Sequence, residues 1–99
     1  MDLSADLRTA QAAFAAADRA LVEARATLDG ATKAYDQARR HAPRGRDLER
    51  ARQAWGLATM EWARALIARE TAKDDLAAER RDVDTDAAAA LALPSRGPR

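Results

Sequence analysis

The sequence predicts an all-α protein, a two-helix antiparallel coiled-coil hairpin with an alanine-rich seam. The composition points away from sheets: 47% of residues are hydrophobic but only 4% are aromatic, and valine and isoleucine are few. Large apolar residues recur every seven positions in two long stretches, which is typical of heptad helices. A short segment with a proline and a glycine separates the stretches. Ninety-nine residues fit one domain, and we expect the hairpin to occupy residues 1–93.

Helix 1 is predicted over about residues 3–41. With heptad positions named a to g, bulky side chains occupy position a and mostly alanine occupies position d. The a residues are Leu7, Phe14, Leu21, Leu28 and Tyr35, and the d residues are Leu3, Ala10, Ala17, Ala24, Ala31 and Ala38. One apolar stripe therefore follows the whole helix.

A turn is predicted over residues 42–46, within the stretch RRHAPRGRDLER. Pro43 cannot continue a helix, and Gly45 can take the positive φ that a tight reversal needs. Asp47 is suited to cap the next helix, while Glu49 falls in its first turn and favours the positive end of the helix dipole. The chain is therefore expected to double back near Pro43.

Helix 2 is predicted over about residues 47–92 and repeats the same scheme. Its a residues are Leu48, Trp55, Trp62, Arg69, Leu76 and Val83, and its d residues are Ala51, Ala58, Ala65 and Ala72. For Arg69 we expect a packed stem and a charged group that reaches solvent; the alternative is a buried ion pair or ligand contact. Glu79 and Asp86 at position d predict loose pairing at the free end, and after Pro94 we expect a disordered tail over residues 94–99.

One antiparallel register places a large side chain against a small one in successive layers. It pairs residues whose numbers add to 86, for example Leu28 with Ala58 and Ala24 with Trp62. Alternating large and small residues fills a core without voids or strain. The same register places the reversal at Pro43.

A thin hairpin buries little surface, so we expect two copies to associate into a four-helix bundle. One flank offers an apolar surface for this homodimer. The candidate dimer residues are Ala13, Ala20, Ala34, Ala54, Leu57, Met60, Ile67 and Ala68. The alternative explanation of the alanines is their high helix propensity alone.

Nothing in the sequence resembles an enzyme, metal or cofactor site. The absence of cysteine excludes disulfides and thiolate ligands, and His41 is the only histidine. No apolar run is long enough for a membrane span, and the first residues, MDLSADL, lack the pattern of a signal peptide. We therefore expect a non-enzymatic, cytoplasmic protein without a cofactor; export by a route that reads no N-terminal signal is the alternative.

Arginines concentrate at the predicted reversal, whereas acids concentrate over residues 70–86. The candidate anion-contact residues are Arg39, Arg40, Arg44, Arg46, Arg50 and Arg52. Such a cluster suits nucleic-acid phosphates or an acidic protein partner, or it is simply a solvated turn. No aromatic residue lies among these arginines in the sequence, which disfavours base stacking.

In size, lack of cysteine and hairpin plan, the sequence resembles the small secreted helical-hairpin family of type VII secretion systems. The family's turn motif is Trp-x-Gly, whereas Trp55 and Gly56 here are adjacent and fall inside helix 2. Its C-terminal Tyr-x-x-x-Asp/Glu signal is also missing, since Tyr35 is the only tyrosine. The resemblance is therefore one of topology and carries no functional residues.

The function that we expect from the sequence is that of an interaction module, namely an adaptor, regulator or assembly component that binds another protein as a homodimer. One alternative is a nucleic-acid-binding protein that uses the arginines at the reversal. The other is a type VII-like exported hairpin.

Overall fold

The computed structural model describes residues 3–41 and 44–92. They form two long helices, α1 over Leu3–His41 and α2 over Arg46–Ala92, and these described residues contain no strand. The prediction of an all-α protein with two long helices is confirmed. Pro43 and the tail predicted over residues 94–99 lie outside the described residues.

Charged residues at the helix ends complement the helix dipoles. Basic residues occupy the last turn of α1, where Arg39, Arg40 and His41 face the negative end of its dipole. Asp47 and Glu49 occupy the first turn of α2, near its positive end. The charges therefore favour the end of α1 and the start of α2 at the predicted reversal.

Gly45 sets the start of α2. Its φ is 116°, a region that glycine enters without the steric cost that a Cβ brings. Its carbonyl oxygen accepts a hydrogen bond from the Glu49 amide at 3.2 Å, which is the first i to i−4 bond of the helix. The positive φ predicted for Gly45 is confirmed.

The two helices run antiparallel. The rings of Tyr35 and Trp55 lie 5.8 Å apart near the reversal, and the Asp18 carboxylate lies 2.8 Å from the Arg69 guanidinium much farther along the pair. Residues nearer the N-terminus of α1 therefore contact residues nearer the C-terminus of α2. Both contacts fall within one helical turn of the large-on-small register derived from the sequence.

Shielding from solvent follows the heptad positions. Every a and d residue of α1 is half-buried, and on α2 the same holds, or the residue is buried, except at Trp55 and Asp86. Only Ala58 and Leu76 are buried among the described residues, with exposed fractions of 3% and 7%. A pair of helices shields one stripe on each but encloses few side chains.

Trp55 departs from its expected place in the seam, because 38% of it is exposed. The described residues contain no third helix that would cover the outer edge of this indole. Its ring instead packs at a 47° tilt against Tyr35. Trp62, at the same heptad position one repeat later, is half-buried.

The C-terminal part of α2 extends beyond the pair. Residues 84–92 are exposed throughout, including Leu91 at 81%. Asp84 and Asp86 lie inside one continuous helix. No helix of the described residues is both long and apolar enough to cross a membrane.

Replacing Gly56 with alanine should raise the free energy of unfolding by about 1 kcal/mol, because glycine costs a helix interior that much relative to alanine. A Cβ built at Gly56 meets no atom within 4 Å, so the helix gains propensity without a clash. Urea denaturation followed by circular dichroism at fixed protein concentration measures the change. A loss of stability would show that another molecule packs against Gly56 and leaves no room for a side chain there.

Candidate interaction surfaces

An exposed apolar stripe lies on the outer side of α2. Leu57, Met60 and Ile67 are 63%, 53% and 67% exposed, and spacings of three and seven residues align them on one face of a helix. These residues occupy heptad positions c and f, which point away from the seam. We call them the outer face.

Alanines extend the outer face around one side of the helix pair. In an antiparallel pair the g positions of both helices lie on the same side of the seam. Alanine fills five of them, and all five are exposed: Ala13, Ala20, Ala34, Ala54 and Ala68. The surface of these alanines adjoins the outer face, and the two together contain every predicted dimer residue. Glu61 and Arg64 are exposed charged residues within this combined surface.

The six arginines predicted as an anion-contact set are all exposed, and we call them the arginine tip. Arg52 forms an ion pair with Glu49 at 3.0 Å, and the Arg39 guanidinium lies 5.7 Å from the centre of the Tyr35 ring. The other four side chains form no ion pair with any residue of the described ranges: Arg40, Arg44, Arg46 and Arg50. Most of the positive charge at this end is therefore uncompensated.

Aromatic rings lie beside the arginine tip, which the sequence order does not show. Arg39 contacts Tyr35, and Tyr35 contacts the partly exposed Trp55. The objection that no aromatic residue accompanies the arginines holds along the chain but not in space. Two signals could have revealed the cluster: Arg39 follows Tyr35 by four residues, and the antiparallel register places Trp55 within one turn of the position opposite Tyr35.

Arginine covers aromatic rings at two further levels of the helix pair. The Arg25 guanidinium lies 5.9 Å from the Trp62 ring, and the Arg69 guanidinium lies 5.3 Å from the Phe14 ring. Cation–π attraction of this kind stabilises contacts at the edge of a seam. Phe14, Tyr35 and Trp62 thus each have an arginine guanidinium over the ring.

Arg69 forms a partly buried ion pair between the helices. Its side chain is 29% exposed, and it donates hydrogen bonds to Asp18 at 2.8 Å and to Glu70 at 3.2 Å. The hydrogen bond to Asp18 is the main cause that raises the pKa of Arg69, and burial opposes it. The charged group therefore lies at the surface of the helix pair as expected, and there it is paired with a carboxylate of the neighbouring helix that is itself 50% exposed.

Two open grooves lie on either side of the seam near the free end. One is lined by Asp6, Asp75 and Glu79 among others, and the other by Phe14, Leu76 and Lys73 among others. Within residues 3–41 and 44–92, no group of three or more His, Cys, Asp or Glu side chains is placed to hold a metal ion.

Comparison with known proteins gives no match: no family model, no curated protein and no solved structure matches the chain.

Proposed function

We propose that the protein is a non-enzymatic interaction module, an antiparallel coiled-coil hairpin that pairs with a second copy in a four-helix bundle and acts by binding another protein. The observation that supports this most directly is the outer face, with three large apolar side chains more than half exposed on one side of α2. Isolated apolar residues on a surface need no explanation, whereas several large ones on one helix face favour an interaction site.

The exposed area of the chain supports association. Its accessible surface is 7684 Å², whereas a compact monomer of 10.7 kDa exposes about 5,500 Å². The excess of about 2,200 Å² matches what one subunit buries in an obligate dimer. The radius of gyration, 23.2 Å against about 13 Å for a compact domain of this length, shows that the excess comes from an elongated shape.

A two-fold arrangement of two copies would cover the apolar residues of the outer face and would pair the charged residues beside it. When two α2 helices lie antiparallel about the level of Trp62, Leu57 of one copy faces Ile67 of the other. The same arrangement brings Glu61 of one copy close to Arg64 of the other, so the charges within the surface find opposite partners. Such a self-complementary contact is what a two-fold dimer requires.

The test is the double substitution Leu57→Glu with Ile67→Glu, studied by sedimentation equilibrium at micromolar concentration. We expect the wild-type chain to sediment with twice its mass of 10.7 kDa. The variant should dissociate about 100-fold or more readily, because each copy loses the burial of two large side chains and gains two charges.

Val22→Glu is the matched control, because Val22 is 65% exposed but occupies position b, on the other side of the seam. This variant should remain dimeric. The proteins that copurify with the wild type should likewise remain with Val22→Glu and be lost with the double variant. A wild-type chain of monomer mass at high micromolar concentration, or equal dissociation of both variants, would contradict the proposal.

A further inference from the structure

The arginine tip combines unpaired cations with exposed aromatic surface, and we propose that it binds single-stranded nucleic acid. Phosphates would contact the arginines, and a base would stack on Trp55. This inference uses the end of the rod rather than the outer face, so it does not depend on the proposed dimer.

Helix stability does not explain the position of three of these arginines. Arg39 and Arg40 lie in the last turn of α1, where a cation complements the dipole. Arg44 precedes α2 by two residues, Arg46 is its first residue and Arg50 follows its first turn, so these cations lie near the positive end of the helix dipole, which does not favour them. All three are exposed and lack a carboxylate partner in the described ranges. Charge that costs the helix stability and has no partner within the chain is suited to an external anion.

The charge of the whole rod favours an extended polyanion that approaches from the tip. Residues 39–52 carry six arginines against Asp47 and Glu49, whereas residues 70–86 carry seven acids against three basic residues. The net charge is only +1, so attraction depends on orientation. A polyanion is drawn to one end and repelled from the other.

The aromatic cluster distinguishes a single-stranded nucleic acid from an acidic protein. Trp55 presents exposed indole surface, and Tyr35 supports the ring from the other helix at 5.8 Å. Arg39 and Arg52 occupy position e on the two helices, which borders the same side of the seam. Cations beside an exposed ring are how proteins hold single strands, since phosphates meet the cations and a base stacks on the ring. An acidic peptide would use the arginines and gain little from the indole.

Fluorescence anisotropy with a labelled single-stranded oligonucleotide of mixed sequence tests the proposal. The logarithm of the binding constant should fall against the logarithm of salt concentration with a slope of about −3, from four phosphate contacts at about 0.7 each. The triple substitution Arg44→Glu, Arg46→Glu and Arg50→Glu should weaken binding at least about tenfold and flatten this slope. The protein should stay folded, because acids at a helix N-terminus are stabilising.

Two controls test whether the loss of binding depends on where the arginines and the tryptophan lie, rather than on total charge or on removing any tryptophan. Arg19→Glu, Arg80→Glu and Arg81→Glu together make the same change of charge away from the tip and should leave most of the affinity. Trp55→Leu should weaken binding about 5- to 100-fold through lost stacking, whereas Trp62→Leu should not.

Three results would overturn the proposal. One is the absence of single-strand binding at low salt, and another is equal loss of affinity in the two arginine triples. The third is a preference for duplex or for an acidic peptide that Trp55→Leu leaves unchanged, because stacking would then play no part.

Discussion

Replacing Ala58 with aspartate should lower the free energy of unfolding by about 3–5 kcal/mol, the cost of an uncompensated charge in a protein interior. Ala58 is the most shielded residue of the described ranges, with 3% exposed. It lies at position d in α2, at the level of Leu28 in the proposed register, so a carboxylate there would face an apolar side chain. Thermal and urea unfolding, followed by circular dichroism at one fixed protein concentration, measure the loss.

Ala77→Asp is the control for this substitution. Ala77 is exposed on the same helix and lies outside the outer face, so the change in helix propensity is the same while the carboxylate stays in water. Surface substitutions of this kind usually alter stability by no more than about 0.5 kcal/mol. Losses of similar size in the two variants would show that the two helices do not exclude water at Ala58.

The more shielded face of α1 could be predicted from the sequence because small and large apolar residues recur there with a period of seven. Each a and d position of α1 is half-buried as the pattern indicates. The exposure of Leu57, Met60 and Ile67 follows from the same pattern, since all three fall outside positions a and d. Periodicity indicates which face of a helix meets its neighbour.

What periodicity does not contain is the volume and reach of individual side chains. Trp55 has the heptad position of a core residue, yet it stays 38% exposed, whereas Trp62 at the same position is half-buried. Arg69 has the same heptad position, and the outcome depended on whether a carboxylate on α1 came within reach. Asp18 does, at 2.8 Å. Its position opposite Arg69 depends on the register between the helices, which the residues of α1 and α2 determine together.

The aromatic cluster at the arginine tip was missed for a related reason. Tyr35 and Trp55 are twenty residues apart in the sequence, and their contact exists only once α1 and α2 lie antiparallel. Each ring lies on the same helix as an arginine of the tip, but only the pairing of the two helices brings the two rings together. The sequence therefore indicated the arginines of the candidate site but not the aromatic contacts beside them.

Leu76→Ala should destabilise the fold by about 2–3 kcal/mol, at the lower end of the range for truncation of a buried leucine. Leu76 is the only large side chain buried in the described ranges, at 7% exposed, and it lies beside Phe14 along one of the grooves of the seam. Because Ala10 lies opposite it in the register, α1 offers no bulky side chain to fill the space. The neighbouring groove lets the helices relax inward, which keeps the loss below that of a fully enclosed core.

Leu91→Ala makes the same chemical change on the same helix at a residue that is 81% exposed. It should leave the free energy of unfolding unchanged within about 0.5 kcal/mol, and alanine's higher helix propensity should offset part of any loss. The difference between the two variants, measured by urea denaturation at equal concentration, isolates what the seam contributes near its free end. Equal effects would mean that α1 and α2 are not packed together at Leu76, and the helix pair would then hold only nearer the reversal.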